Sequence, residues 1–345
     1  MRESVNVIVA GATGYIGIEL IKILVNHPRV KIKYICAQDS IGKSIYKFDS
    51  SLRKKILPKI SSIKNINFKN IDVLFTALPN GEAQKIAKKL NSEIKLIDLS
   101  ADFRLENAED YRKWYKCEHK SKNLIKYSHY SIPELSEKDI KKFKIIACPG
   151  CYPTSIQIPL IPIIRNKFIN INNIIVDSKS GYSGAGKNLN KKFTFKNIYD
   201  SINAYGVGSH RHMAEIDQEF KKIFKKEIKI QFTPHLSPMF RGILSTIYVK
   251  LNANAKPLKI YNFLKKFYKN NFFIKFAKFN TPIGTGDVMN TNYCKISVCC
   301  DRKSNKAVIL CAIDNLIKGG SGQAIQNMNK LFGFKENLGF KWKNI

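Results

Sequence analysis

Two cysteines stand within IIACPGCYPTSIQ, residues 145–157, and their surroundings suit nucleophilic chemistry. An apolar run reaches Ala147, and Cys148, Pro149, Gly150, Cys151, Tyr152 and Pro153 then break the chain before a segment with helical character. The pattern reads as strand, tight turn, helix. Cys151 then falls at or just before a helix N-terminus, where unpaired N–H groups and the helix dipole favour a thiolate over a thiol. A cysteine met in isolation is more often a small buried hydrophobe. Cys148 and Cys151 also have the C-x-x-C spacing of a redox dithiol or of half a zinc site. Zinc would need two further ligands, and the chain has neither a second C-x-x-C nor an H-x₃₋₅-H, so no metal is expected. On this stretch alone the dithiol stays open.

Proton transfer and anion binding have a second candidate source in His210, Arg211 and His212. Residues one or two apart do not share a helix face, so this is no metal spacing on a helix. Facing a ligand, the three would combine an acid/base with a fixed positive charge. A histidine ahead of a helical run is also a common polar cap. Serine and glycine crowd the 180–187 segment SGYSGAGK, which reads either as a plain loop or as backbone that comes close to a ligand.

These groups need elements to hold them. VNVIVAGATGYIGIELIKILVNHP, residues 5–28, is an apolar strand, a glycine turn and an amphipathic helix. Gly11, Gly14 and Gly17 form G-x-x-G-x-x-G, a variant of the dinucleotide fingerprint that lets backbone N–H groups approach a pyrophosphate. The next strand, KIKYICA, ends near Asp39, which suits a ribose hydroxyl, and near Ser40 and Lys43, which suit a 2′-phosphate. Chemistry alone leaves that choice open. Further strands over 71–79 and 94–100 alternate with helices and imply a doubly wound parallel sheet with ligands at the carboxyl ends of its strands. Residues 174–180 read as a strand, 230–238 and 242–250 as two strands of a mixed or antiparallel sheet with Arg241 in the connection, and 311–329 as a strand that gives way to a helix.

At 345 residues the chain is expected to form two domains. The expected division is a Rossmann-like, NADP-binding domain over 1–150, completed by a helix in 314–345, and an α+β domain with a mixed sheet over 151–313 for substrate binding, catalysis and oligomerisation. Fifty-nine basic against 26 acidic side chains give +33, yet the lysines are scattered, so no specific nucleic-acid partner is expected. Eight irregularly spaced cysteines fit a reducing cytoplasm. Neither a leader segment nor a membrane span is expected.

In order, GATGYIG, DLSADFR, PGCYPT, SGYSGAG, HRHMAEI, FTPHLSPMFRGIL and DNLIKGGSGQAIQN resemble the N-acetyl-γ-glutamyl-phosphate reductases of arginine biosynthesis, in the semialdehyde dehydrogenase superfamily. The resemblance implies NADPH-dependent reduction of a small-molecule acyl phosphate to a semialdehyde, through a thioacyl-enzyme on Cys151, with release of phosphate. It makes one of His210 and His212 the acid/base without saying which, and makes Arg104, Arg211 and Arg241 candidates for the substrate's anionic groups. It puts Gly11, Thr13, Gly14, Tyr15, Gly17, Ser183, Gly184 and Asn315 against the cofactor, and tips the 2′-phosphate contact toward Ser40 and Lys43. A homo-oligomer is implied as well.

Some positions depart from the family pattern. Cys148 brings a possible disulfide with Cys151, and Pro159 is expected to kink or shorten the helix that follows Cys151. Aspartate-semialdehyde dehydrogenase and a lysine-pathway reductase acting on carrier-linked aminoadipyl phosphate share the chemistry and stand as alternatives. A basic nucleic-acid-binding module or a dithiol protein would explain the charge or C-P-G-C, but not the motifs together.

Overall fold

Val5–Ala10, apolar and buried at every position but Asn6, forms β1 at the centre of a parallel sheet. Continuous burial of this kind is what a strand covered on both faces requires. The computed structural model describes residues 4–136, 138–187, 200–225 and 227–341. The chain divides into two compact units, one of residues up to Pro149 and from Gly320 onward, the other of Gly150–Gly319. Residues 342–345 of the expected 314–345 segment lie outside the described residues.

In the first unit β1 is followed by α1 (Tyr15–Leu24), β2 (Val30–Cys36), β3 (Ile60–Ser61), β4 (Val73–Thr76), α2 (Glu82–Ala87), β5 (Lys95–Asp98), α3 (Ala108–Tyr115), β6 (Ser128–Tyr130) and β7 (Ile145–Ala147). The strand order is β3-β2-β1-β4-β5-β7-β6, and every pairing is parallel. This is the expected Rossmann-like sheet. The chain leaves β1 in one direction toward β2 and in the other toward β4, a topological switch where such sheets bind ligands. Ile8, Leu74, Leu96, Phe103 and Ile145 share one core cluster of this unit.

The second unit opens with α4 (Cys151–Arg165) and continues through β8 (Ile169–Gly181), β9 (Asn203–Ala204), α5 (Met213–Phe224), β10 (Gln231–Ser237), β11 (Ile243–Leu251), α6 (Pro257–Phe267), β12 (Ile274–Phe276), β13 (Cys294–Cys300) and β14 (Lys306–Ile313). Its sheet is mixed, ordered β12-β13-β14-β11-β8-β10-β9. The strands flanking Arg241 do not pair with each other: β8 lies between them, parallel to β10 and antiparallel to β11. Their connection therefore crosses the end of β8, where Gly181 leaves room; a Cβ there would lie 2.6 Å from the Arg241 nitrogen. A final helix, α7 (Gly322–Phe332), belongs to the first unit and packs on α1 and β5.

The expectation that Pro159 shortens the helix after Cys151 is corrected here, since α4 runs on to Arg165 through both Pro159 and Pro162. Burial on all sides overrides the local preference: Ile156, Ile158, Leu160 and Ile163 are each fully buried, and each contributes about 1.5–3 kcal/mol. Pro162 brings no N–H for the Ile158 carbonyl, and the Tyr268 hydroxyl donates to that carbonyl instead at 2.6 Å. Tyr268→Phe leaves the carbonyl without this donor, and the expected loss is about 1–3 kcal/mol, read by urea unfolding. An unchanged midpoint would show that the hydroxyl does not compensate for the proline.

Candidate active site

β1 ends in a turn that only glycine can make. Gly11 has φ +83°, and a Cβ there would collide with the Ala77 carbonyl. The Gly11 and Ala12 N–H groups donate to the Cys36 carbonyl, Gly14 caps α1, and a Cβ on Gly17 would strike the Gly11 carbonyl. Thr13 and Tyr15 are half-buried beside them. The cradle is thus built of backbone, at the positive end of a helix and at the sheet's switch point. That is what a dinucleotide pyrophosphate requires, so these residues fit the cofactor the fingerprint implies. Beyond β2, Ser40 is buried while Asp39 and Lys43 are exposed, and the Lys43 N–H donates to the Ser40 carbonyl.

The acidic groups of DLSADFR hold the first unit together. Asp98 accepts from Thr76 and Ser100, and burial followed by the neighbouring Asp102 pushes its carboxyl up. Asp102 accepts from the Gly81 and Gln84 N–H groups and from the Tyr111 hydroxyl. Arg104 donates from Nε to the Cys148 carbonyl at 2.8 Å and from Nη2 to the Leu99 carbonyl at 3.0 Å. It supports the chain just ahead of Pro149, a part the sequence reading did not foresee. Cys148 is fully buried, and its thiol is pushed up to about 12, by burial first and Asp98 second. Such a thiol is a structural hydrophobe rather than a poised redox partner.

In the second unit Cys151 is the first residue of α4, half-buried, with Gly150 as N-cap. The Gly150 N–H donates to Glu215 Oε2 at 2.9 Å, and Gln157 Nε2 donates to the Glu215 carbonyl, tying α5 to the start of α4. The His212 imidazole lies against Gly150, where a Cβ would meet Cε1 and Nε2 at 2.6 Å. On another side a Cβ at Gly319 would come 2.6 Å from that of Cys151. The imidazole thus packs on the residue before Cys151, and Gly319 packs on Cys151 itself.

His210 has a different place. Its ring stands edge-on to His212 at 4.7 Å between centroids, to Tyr152 and Tyr205 at 5.4 Å and to Phe232 at 5.7 Å. Nδ1 accepts the His212 backbone N–H at 3.2 Å. Burial, with the adjacent Arg211 charge, lowers its pKa to about 4, so at neutral pH it is an uncharged ring. Arg211 is exposed. The side chain of Arg241 is 10% exposed and pairs through Nη1 with Asp314 at 3.2 Å and with Asn290 Oδ1 at 2.7 Å. Asn315 accepts from the Gly242 N–H and donates to Ser183 Oγ, and a Cβ on Gly184 would lie 3.7 Å from its Nδ2. Ser183, Gly184 and Asn315 thus form one cluster. The sequence assigns no site role to Glu215, Gly319 or Asp314, although each lies inside one of the motifs.

Family models match along most of the chain: "Semialdehyde dehydrogenase, NAD binding domain" over residues 6–143 and "Semialdehyde dehydrogenase, dimerisation domain" over 151–315. N-acetyl-gamma-glutamyl-phosphate reductases of Ehrlichia ruminantium and Thermoanaerobacter pseudethanolicus are 43% and 44% identical, over 97% and 96% of this chain and 97% of each relative. Among solved structures, the aspartate semialdehyde dehydrogenase II of Vibrio cholerae complexed with ASA matches with a TM-score of 0.72, over 96% of this chain and 99% of that one. At 18% identity that likeness speaks for the fold alone.

Proposed function

This chain belongs to the N-acetyl-γ-glutamyl-phosphate reductases of the semialdehyde dehydrogenase family, and from that membership we propose how its residues share the work. The reaction is the NADPH-dependent reduction of N-acetyl-γ-glutamyl phosphate to N-acetylglutamate semialdehyde with release of phosphate. The observation that carries the assignment of roles is Cys151 at the first turn of α4 with the His212 ring against Gly150.

Cys151 is the nucleophile. The free N–H groups and dipole of the first turn stabilise its thiolate, and His212 takes the thiol proton. Sγ forms a bond to the acyl carbon, the carbon–oxygen bond to phosphate breaks, and a thioester and inorganic phosphate result. NADPH, when bound, supplies the hydride that brings this carbon to the aldehyde level. His212 returns the proton as the sulfur leaves. His210 holds the His212 backbone by accepting its N–H.

Gly11, Thr13, Gly14, Tyr15 and Gly17 hold the cofactor pyrophosphate in this reading, Ser40 and Lys43 its 2′-phosphate, and the Ser183, Gly184 and Asn315 cluster its nicotinamide end. Arg241 and Arg211 take the substrate's phosphate and carboxylate, since guanidinium groups bind such anions through paired N–H groups. Arg104, committed to two carbonyls, contributes its charge. The first unit is then the nucleotide-binding domain and the second the substrate domain. Ile175 and Tyr248 are exposed at paired positions of the second unit's sheet, and a second copy of the chain is the occupant we assign to that face. Among the described residues no helix is long and apolar enough to cross a membrane. We assign the reaction to the cytoplasm, where eight free thiols persist.

The test is the reverse reaction. N-acetylglutamate semialdehyde reduces NADP only when phosphate or arsenate is present, and aspartate semialdehyde gives little turnover. Turnover with aspartate semialdehyde alone would overturn the substrate, and turnover independent of phosphate would overturn the acyl-phosphate chemistry.

A further inference from the structure

Asp314 is fully buried and directly follows β14, at the head of the turn that leads to Gly319. A carboxylate removed from water persists only if its oxygens are satisfied. Oδ1 accepts the N–H groups of Leu316 at 2.9 Å and Ile317 at 3.2 Å. Oδ2 accepts the Asn290 N–H at 2.8 Å and Nη1 of Arg241 at 3.2 Å. Its carbonyl accepts the Gly319 N–H at 2.9 Å. One side chain thus grips a guanidinium with one oxygen and a backbone turn with the other.

That turn is unusual. Ile317–Ser321 adopts a π-helical turn, a rare form that clusters at functional sites. It brings the Cα of Gly319 so close to Cys151 that only a glycine fits. The neighbouring Asn315 grips the Gly242 N–H, next in the chain to Arg241. Arg241 is accordingly held at its head by Asp314 and beside its backbone by Asn315, while the same two residues begin the turn behind the nucleophile.

We propose that Asp314 is a positioning residue that sets the guanidinium of Arg241 and, through the 314–319 turn, the seat of Cys151, keeping the anion-binding group and the nucleophile in register. The part concerning substrate rests on the reading of Arg241 given above. The part concerning the seat of Cys151 does not.

Asp314→Asn keeps the shape but turns an acceptor facing Arg241 into a donor. The expected result is a KM for the acyl phosphate raised about tenfold or more with a smaller fall in kcat, the pattern of lost ground-state binding. Alkylation of Cys151 by iodoacetamide is expected to run about threefold faster, because the glycine seat behind the sulfur loosens. Asn290→Gly removes the second acceptor of Arg241 at an exposed position with φ +62°, which glycine favours, and guards against a failure of Asp314→Asn to fold. It is expected to raise KM about threefold and leave alkylation unchanged.

A folded Asp314→Asn protein with unchanged KM and unchanged alkylation overturns the proposal. If that variant does not fold, an Asn290→Gly protein with unchanged KM overturns it. Arg241→Met separates the two readings. If this variant leaves KM unchanged, Arg241 does not bind substrate, and the alkylation rate of Asp314→Asn alone decides whether Asp314 seats Cys151.

Discussion

Cys151→Ser is expected to lower kcat/KM for the acyl phosphate by roughly four orders of magnitude or more, the scale on which an activated nucleophile is lost. In the proposed roles a helix N-terminus and an imidazole base favour the thiolate as nucleophile. The same surroundings cannot do this for a serine hydroxyl, whose proton is held far more tightly. Two measurements accompany the rate. Wild-type protein releases phosphate from the acyl phosphate in the absence of NADPH, up to one equivalent, and carries the acyl group as a mass increment on the peptide containing Cys151. The serine variant shows neither. Cys148→Ala is the control: with its thiol buried and pushed up to about 12, Cys148 offers no thiolate, and its loss is expected to leave turnover within a few-fold. Near-normal activity in Cys151→Ser would remove the covalent mechanism outright.

The second large effect separates the two histidines. His212→Gln is expected to lower kcat by about 10²–10⁴, the contribution of a positioned acid/base. His210→Gln is expected to lower it by less than about tenfold, because an uncharged acceptor can replace a ring that accepts an N–H and is otherwise packed among aromatic groups. The pH dependence gives a sharper distinction. His210 is held down to about 4 when folded, below the ordinary value of about 6.5. The stability it contributes is thus present above pH 6.5 and is lost as pH falls toward 4, where the folded state refuses the proton that the unfolded chain takes up. His210→Gln should flatten the acid decline of the unfolding midpoint over that interval. It should not move any limb of the kcat/KM profile at neutral pH, since His210 does not titrate there. A neutral limb that vanished in His210→Gln and survived in His212→Gln would exchange the two roles.

Much of this was legible without coordinates because it is local. Gly11, Gly14 and Gly17 span the end of a strand and the first turn of a helix within a stretch of neighbouring residues, and the turn at Pro149–Gly150 states where a helix can begin. Runs of β-branched residues alternating with amphipathic segments announce a parallel sheet, because such strands are buried on both faces and must be joined by crossovers. The helix after Cys151 was misread for the complementary reason. Pro159 and Pro162 argue locally against a long helix, but the compensation for Pro162 comes from Tyr268, 110 residues from the Ile158 carbonyl it meets, through a hydrogen bond that no spacing rule reports.

Arg104 shows the same limit from another side. An arginine in a loop at the carboxyl end of a strand reads as an anion binder, and the charge is the same whether it meets a ligand or two carbonyls. Only the fold says that it meets carbonyls. Glu215 and Asp314 sit in quoted motifs, yet nothing in their sequence neighbourhoods distinguishes a surface carboxylate from one buried under Gly150 or joined to Arg241.

By itself, then, the sequence determined the class of fold, the dinucleotide fingerprint and the family, since each depends on residue types within a few positions of one another. The tertiary structure alone decided that the His212 ring lies against Gly150, that Glu215 accepts the Gly150 N–H, that Gly319 packs on Cys151, and that Asp314 pairs with Arg241. Those contacts join residues some 60 to 170 positions apart, and they exist only where folding has buried the charges and brought the glycines into contact.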